Sequence, residues 1–305
     1  MRIHIHANCQ AVPIAGMLAE VYPDWEISFF EVHAQPIVDQ IDRYYESVST
    51  ADIVLSQPVH NGFRERDDLS LGWIKANVRS RDALIVFPSL HFAAHQPGWV
   101  ANPFPGIDLL AAHLLATGLQ PEAALQQLLS PDLLADSDVE REIELATAET
   151  KRREIDDGVD VKISPFLDEH SDKRLLFHIN NHPMRETAVF ITNRILERMG
   201  LPRRVPRQGH DYQAYPHIPP LPAITRFLAA RGGMAPDPEY YETVRLPAMP
   251  EVPMNSYYRQ MIEQLASVPS EDLFSMIAQR WPTVQFLRRL AANKNAIPCI
   301  ERWLN

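Results

Sequence analysis

Apolar positions alternate with polar ones at the start of the chain and predict a β-strand. Ile3, Ile5 and Ala7 recur with a period of two, and the polar residues 8–10 end the alternation. Apolar residues with helical spacing follow at Ile14, Met17, Leu18 and Val21. Cys9 is therefore predicted to lie in a short connection between a strand and a helix.

Strand and helix patterns continue to alternate along the first part of the chain. Strands are predicted over residues 25–32, 51–55 and 83–87, and helices over residues 36–45 and 71–78. Strands separated by helical segments favour a parallel sheet with helices on its faces. The sequence therefore predicts an α/β fold with a parallel, Rossmann-like sheet at its core.

Helical patterns dominate the rest of the chain. Residues 107–157 are predicted to be helical, and their charge-rich part, residues 139–155, is typical of a solvent-exposed helix or a lid. A strand is predicted over residues 174–179. Pro183 is expected in the first turn of the next helix, which Gly200 ends.

These patterns divide the chain into three predicted regions: an α/β core (residues 1–105 and 170–200), a helical insertion (106–169) and a C-terminal region (201–305). Within the last region, residues 202–253 are rich in proline and predict loops. Residues 257–304 return to a helical pattern. We thus expect a parallel sheet interrupted by a helical insertion and followed by a helical C-terminal region.

Composition and charge exclude some classes of function. The chain of 305 residues has a net charge of −10 and no long block of Lys or Arg, which argues against nucleic-acid binding. No apolar stretch reaches the roughly 18 residues of a membrane span, and the start lacks the pattern of a secretory leader. The two cysteines, Cys9 and Cys299, are typical of a reducing compartment. We expect a cytoplasmic protein, with attachment to the inner membrane face as an alternative.

Cys9 is the first candidate for catalysis. Ligands bind at the carboxyl ends of parallel strands, where the unpaired N–H groups and dipole of the following helix favour negative charge. A thiol there is expected to tend toward the thiolate, which is the nucleophilic form. The alternative is that Cys9 is a small apolar side chain buried in the core. Cys299 has apolar neighbours and is predicted to be a core residue.

A thiol nucleophile needs a base, and three histidines are predicted at strand ends: His60, His91 and His182. Spacing along the chain does not choose among them, since catalytic groups are recognised by geometry. For each one, an ordinary surface or core histidine is the alternative. Asn8, Gln57 and the backbone N–H groups beside the thiol are candidate donors to an oxyanion.

The chain also contains candidate residues for a metal site and for a phosphate site. His4 and His6 share one face of the first strand and could hold a metal with His178. Their spacing matches no zinc pattern, so core or interface histidines are favoured and no metal is expected. The glycine motifs of nucleotide binding and the Gly-x-Ser-x-Gly motif are absent. One arginine cluster is a candidate site for a phosphorylated ligand, with a solvated surface as the alternative: Arg203, Arg204 and Arg207.

Four short motifs resemble the WcbI polysaccharide-biosynthesis family: Ile-His-Ala-Asn-Cys-Gln (residues 5–10), Leu-Ser-Gln-Pro-Val (55–59), Pro-Ser-Leu-His (88–91) and Asn-Asn-His-Pro (180–183). Ala7 stands where the family usually has glycine. That family is associated with capsule assembly, has a divergent α/β fold that binds coenzyme A (CoA), and is regarded as acetylating a capsular sugar. The resemblance covers the first hundred residues and the segment around His182.

The resemblance implies roles for particular residues. The catalytic cysteine and histidine of the family carry over to Cys9 and His60. CoA or acetyl-CoA is the implied substrate, and the residues expected to line its site are Gln10, Ser89 and His91. The arginine cluster would bind its phosphates.

The late Asn-x-His-Pro motif also resembles the last block of the SGNH-type esterases, whose nucleophile follows the first strand. A serine takes the position of Cys9 in those enzymes, and their histidine corresponds to His182. The two resemblances agree on a Rossmann-like or SGNH-like parallel sheet and differ over the base.

Residues and resemblance together lead to a CoA-dependent acyltransferase that O-acetylates a sugar hydroxyl in capsular or other surface polysaccharide biosynthesis. Its expected partners are acetyl-CoA and a sugar or polysaccharide acceptor, in a homo-oligomer or a polysaccharide assembly complex. Two alternatives stay open. One is a thiol- or His-dependent carbohydrate esterase or deacetylase, and the other is a non-catalytic subunit that binds CoA or sugar.

Overall fold

A computed structural model of the chain describes residues 1–34, 40–101, 106–206, 208–232, 239–247, 250–293 and 297–304. Arg207 and the start of the helix predicted from residue 36 lie outside these residues. The chain divides into two compact units: Met1–His91 with Thr147–Glu169 and Asn181–Ala214, and Phe92–Ala146 with His170–Asn180 and Tyr215–Asn305. The three predicted regions stay a prediction.

The strands are β1 (Arg2–Ala7), β2 (Glu26–Glu31), β3 (Ile53–Ser56), β4 (Leu84–Val86), β5 (Trp99–Val100), β6 (Ile107–Asp108), β7 (Phe177–Ile179), β8 (His182–Pro183), β9 (Thr243–Val244) and β10 (Val252–Pro253). The helices are α1 (Ala11–Val21), α2 (Ile41–Thr50), α3 (Leu71–Asn77), α4 (Leu109–Ala116), α5 (Pro121–Leu128), α6 (Asp136–Asp156), α7 (Ser164–His170), α8 (Arg185–Arg198), α9 (Pro222–Ala230), α10 (Glu239–Glu242), α11 (Met254–Leu265), α12 (Ser270–Ala278) and α13 (Trp281–Ala292). Short 3-10 helices span Phe63–Glu65, Asp67–Leu69, Arg81–Ala83 and Ile300–Leu304.

A four-stranded parallel sheet forms the core of the first unit, in the order β2-β1-β3-β4. The predicted α/β fold with a parallel sheet is confirmed. Because β1 lies between β2 and β3, the chain leaves β1 toward one side of the sheet and later returns on its other side. The strand order therefore has a switch point between β1 and β3, the place where open α/β sheets bind ligands.

Both faces of β1 are buried, as expected for an inner strand of a parallel sheet. His4 and His6 are completely buried, and the rings of both lie within 6 Å of the Tyr44 ring. His4 Nδ1 lies 3.0 Å from Ser28 Oγ, and His6 Nε2 lies 2.8 Å from the Leu69 carbonyl oxygen. Burial lowers the pKa of His4 to about 3 and that of His6 to about 4, so both rings are neutral core side chains.

A helical layer forms most of the second unit. Every residue of α4 is buried, and this helix packs against α5, α11 and α12. Asp108 caps it, since its Oδ1 accepts hydrogen bonds from the N–H groups of Leu110 (2.8 Å) and Ala111 (3.3 Å). The predicted helical C-terminal region is confirmed. Among the described residues, no helix combines the length and apolar character needed to cross a bilayer.

Several local predictions are wrong in detail. Pro183 belongs to the short strand β8, and α8 begins two residues later at Arg185, because Pro183 follows the extended His182. The strand β7 is not one of the four strands of the parallel sheet. The proline-rich segment contains the helix α9, whose first residue is Pro222, where a missing N–H is tolerated. Gly200 ends α8 as predicted, with a φ of 75°.

Cys299 is exposed, so its predicted place in the core is wrong. Its neighbours Ile297 and Ile300 are buried, as their apolar character suggests. Cys299 itself has a left-handed φ of 51°, and this turn of the backbone leaves its side chain outside the buried pair.

Candidate active site

The turn between β1 and α1 lies at the carboxyl end of the sheet and carries Cys9. The backbone N–H of Asn8 donates to Gln57 Oε1, which follows β3, at 2.9 Å. The N–H of Gln10 donates to Asn8 Oδ1 and the N–H of Ala11 to the Asn8 carbonyl, each at 2.9 Å. These bonds fix the turn at the β1/β3 switch point and leave Cys9 at its apex.

The Cys9 thiol contacts His182. Its Sγ lies 3.4 Å from His182 Nε2, within hydrogen-bond reach for sulfur, and both side chains are half-buried. His182 comes from β8, far along the sequence, and reaches Cys9 within the same compact unit. This is the mutual geometry of a thiol and a base.

The environment of Cys9 does not favour the thiolate by itself. The pKa of Cys9 is raised to about 11, chiefly by burial and also by the charge of Glu31, while contacts with Gln213 and the backbone offset part of the rise. The expectation that a thiol at this position tends toward the thiolate is therefore wrong, because desolvation is the largest influence on its pKa. Deprotonation at neutral pH needs a partner that takes the proton.

Two donors at the turn point to an oxyanion site. Within the described residues, the N–H of Cys9 makes no hydrogen bond to another residue, whereas the N–H groups of Asn8, Gln10 and Ala11 do. The side chain of Asn8 is half-buried, and its Nδ2 donates one hydrogen bond to Ser89 Oγ at 3.3 Å. An amide nitrogen carries two hydrogens, so Asn8 retains a second donor beside the thiol.

Gln10 and Gln57 form a buried pair of amides beneath this turn. Gln57 Nε2 donates to Gln10 Oε1 at 2.7 Å, and both side chains are almost completely buried. Gln57 was predicted as an oxyanion donor and Gln10 as a residue that lines the CoA site. In the structure their amide groups bond to each other and to the backbone, so they support the turn from inside.

The predicted bases occupy different environments. His182 contacts Cys9, whereas His60 is exposed in the loop after β3, and no side-chain hydrogen bond to it occurs in the part of the chain that the structure describes. His91 is also exposed, and its carbonyl accepts a hydrogen bond from Arg153 Nη2 at 3.2 Å. Of the three candidates, His182 has the geometry of a base for Cys9.

The arginine cluster is exposed in the described part. Arg203 forms an ion pair with Glu197 on α8, and Arg204 is solvent-exposed. Arg207 lies outside the described residues. Phosphate binding by these arginines stays a prediction.

Sequence reasoning missed three residues that act on Cys9 directly or through a neighbour. Gln213 Nε2 donates to the Cys9 carbonyl at 3.0 Å, and Asp211 Oδ1 holds the Gln213 N–H at 3.1 Å. These residues come from a proline-rich loop with no regular pattern, so no sequence signal points to them. Glu31 ends β2 beside β1, and its position at a strand end was a signal that could have revealed it.

The proposed metal alternative receives no support from this arrangement. His4 and His6 are engaged in the sheet core, and His178, in the other unit, has its Nδ1 3.0 Å from His217 Nδ1. In the described residues no group of three or more His, Cys, Asp or Glu side chains could hold a metal ion.

Fold and site together define an α/β protein with a cysteine–histidine pair at the switch point of a parallel sheet. The family model described as polysaccharide biosynthesis enzyme WcbI matches residues 2–204, and the chain belongs to this family. The resemblance of the short motifs to the WcbI family is therefore confirmed, while the similarity to SGNH-type esterases stays a prediction.

A solved structure shows the same fold. It is described as WcbI, a novel polysaccharide biosynthesis enzyme, in its native form without a disulfide bond between CoA and one of its cysteines. The two chains are 19% identical, the alignment covers 94% of this chain and 98% of the other, and the TM-score is 0.78. A search among curated proteins found no match.

Proposed function

We propose that this chain is a CoA-dependent acyltransferase that O-acetylates a sugar hydroxyl during biosynthesis of a surface polysaccharide. The contact of 3.4 Å between Cys9 Sγ and His182 Nε2, at the carboxyl edge of the parallel sheet, carries the proposal. Membership of a polysaccharide biosynthesis family and the CoA named for the solved neighbour support it.

The residues at this edge fit the reactive end of a CoA thioester. The half-buried thiol, the N–H of Cys9 and the second amide hydrogen of Asn8 lie together at the turn. Arg153 supplies a cation at the neighbouring strand end, where it contacts the backbone of His91. An anionic ligand binds such a place despite the negative net charge of the protein, since local charge decides binding in a pocket.

His182 is the general base of the proposed reaction. Its Nε2 takes a proton either from the Cys9 thiol or from the sugar hydroxyl, because it faces the space at the thiol. Acetyl-CoA, when bound, supplies the acetyl group as an activated thioester. The N–H of Cys9 and the amide of Asn8 stabilise the negative charge that develops on the carbonyl oxygen. His182 then returns the proton to the leaving group.

Calorimetric titration with acetyl-CoA, followed by an assay of free CoA with and without sugar acceptors, tests the proposal. Saturable binding and acceptor-dependent release of CoA support acyl transfer. Release without an acceptor indicates hydrolysis, and the absence of binding contradicts the proposal. Cys9→Ser is the test variant, and Cys299→Ser is its matched control because that cysteine is exposed and remote in sequence from the turn.

A further inference from the structure

The side chain of Gln10 uses its full hydrogen-bonding capacity inside the protein. Its Nε2 donates to the carbonyls of Leu90 at 2.6 Å and Asn181 at 2.7 Å. Its Oε1 accepts from the Leu90 N–H at 3.0 Å and from Gln57 Nε2 at 2.7 Å. A primary amide has two donor hydrogens and two acceptor lone pairs, so all four positions of this buried group are occupied.

These four bonds connect four segments of the first unit, one of which is the segment of Gln57 after β3. Gln10 directly follows Cys9, Leu90 lies in the segment after β4, and Asn181 directly precedes His182. One side chain therefore fixes the peptide next to the thiol and the peptide next to the histidine to the same point. The side chain of Gln10 is fully buried, so water does not replace these bonds.

We propose that Gln10 is the positioning residue of the Cys9–His182 pair, and that its amide sets the distance between Sγ and Nε2. The inference rests on the proposed role of that pair. Gln10 touches neither the acceptor nor the thioester in this account, and it acts through the two peptides that it holds. Glutamine suits the position because glutamate lacks both donors and methionine lacks both donors and acceptors.

Alkylation of Cys9 by iodoacetamide, followed across pH in a Cys299→Ser background, tests the inference. In this reaction the sulfur forms a bond to carbon, iodide leaves, and the thiol proton passes to His182 or to water. Because the raised pKa of Cys9, about 11, leaves little unaided thiolate at neutral pH, the alkylation rate there is sensitive to proton removal by His182. No CoA takes part, so failure of the proposed acyl transfer leaves this test intact.

Gln10→Glu is expected to lower the alkylation rate at neutral pH on the order of 10- to 100-fold, since small displacements of paired groups cost that much. The rate at high pH, where the thiolate forms without help, is expected to change little. The neutral-pH rate should approach that of His182→Gln. Gln10→Met removes the same donors without adding a charge, so an equal decrease in this variant assigns the effect to lost positioning and not to the new carboxylate.

Gln96→Glu is the matched control. Gln96 is a buried glutamine of the second unit whose Nε2 donates to the Ile218 carbonyl at 3.1 Å. The same chemical change there should affect stability and leave the pH profile of Cys9 unchanged. If both variants simply speed alkylation at every pH, Gln10 has only a structural role and the inference is wrong.

Gln57→Glu covers the case in which Gln10→Glu does not fold. It keeps the acceptor for the Asn8 N–H and removes the donor to Gln10 Oε1. A decrease of several-fold in the neutral-pH rate is expected, smaller than that of Gln10→Glu because three of the four bonds of Gln10 remain. An unchanged neutral-pH rate in this folded variant would overturn the inference.

Discussion

Cys9 and Cys299 lie in regions that act on a thiol in opposite ways. Cys299 is exposed at a left-handed turn between two buried isoleucines, so reagents reach it directly. Cys9 is half-buried at the end of β1, its pKa is raised to about 11, and His182 Nε2 lies 3.4 Å away. From this difference we expect the reactivity of Cys9 to depend on its contact with His182 and not on its place before a helix alone.

Removal of His182 should change the difference in reactivity between Cys9 and Cys299 more than any other substitution. His182→Gln replaces the imidazole by an amide of similar size that cannot accept the proton, so turnover and alkylation of Cys9 at neutral pH should fall about 10²- to 10⁴-fold. Peptide mass spectrometry separates the two cysteines. Cys299 should react at its original rate, and an unchanged ratio of the two rates would show that His182 does not activate Cys9.

Acid should destabilise the sheet that carries Cys9. His4 and His6 have folded-state pKa values of about 3 and 4, below the ordinary 6.5, so the unfolded chain binds more protons as pH falls below about 6.5. Stability is therefore full above that pH and declines toward pH 4, by roughly 2–3 kcal/mol per histidine.

Urea unfolding followed by circular dichroism between pH 4 and 8 measures this loss. His4→Phe, whose ring replaces an imidazole packed near Phe30 and Tyr44, should make the pH dependence shallower. An equally steep dependence in the variant would mean that other groups control the acid response.

Glu31→Gln should speed alkylation of Cys9 by a few-fold. The carboxylate of Glu31 opposes the thiolate and raises the pKa of Cys9, so its removal lowers that pKa. Because Glu31 is partly exposed, added salt should shrink the difference between variant and wild type. Rates at low and high salt measure the effect, and a slower reaction in the variant would contradict it.

Gln213→Met should have the smallest effect and the opposite sign. The variant loses the bond of 3.0 Å to the Cys9 carbonyl and an interaction that lowers the pKa of Cys9. A loss of about 0.5 kcal/mol, at the low end for one hydrogen bond, corresponds to a rate decrease of about twofold. Equal pH profiles of Cys9 alkylation in the variant and the wild type would show that Gln213 does not affect the reactivity of Cys9.

Local patterns of the chain were enough to predict the parallel sheet and the position of Cys9 after its first strand. The period of two in β1 and the helical spacing in α1 come from side chains near in sequence, and they predict both elements, although both faces of β1 are buried. The helical character of the C-terminal region was predictable for the same reason. Pro183 was misplaced because its fixed φ suits either a helix start or an extended segment.

The partners of Cys9 could not be predicted from sequence to the same extent. Three histidines shared the signal of a strand end, and only tertiary packing places His182 at the thiol. Gln213 comes from a loop without periodicity. The reversal of the expected thiolate also depends on packing, since desolvation follows from burial and not from the motif.

Protection of cysteines from alkylation by a CoA analogue tests directly whether a CoA thioester binds at the Cys9–His182 pair. Acetonyl-CoA, a thioether without a free thiol, is added at increasing concentration, and the alkylation of Cys9 and Cys299 is followed at each one. Saturable protection of Cys9 and no protection of Cys299 are expected. An alkylation rate of Cys9 that the analogue leaves unchanged would contradict a CoA thioester site at the Cys9–His182 pair.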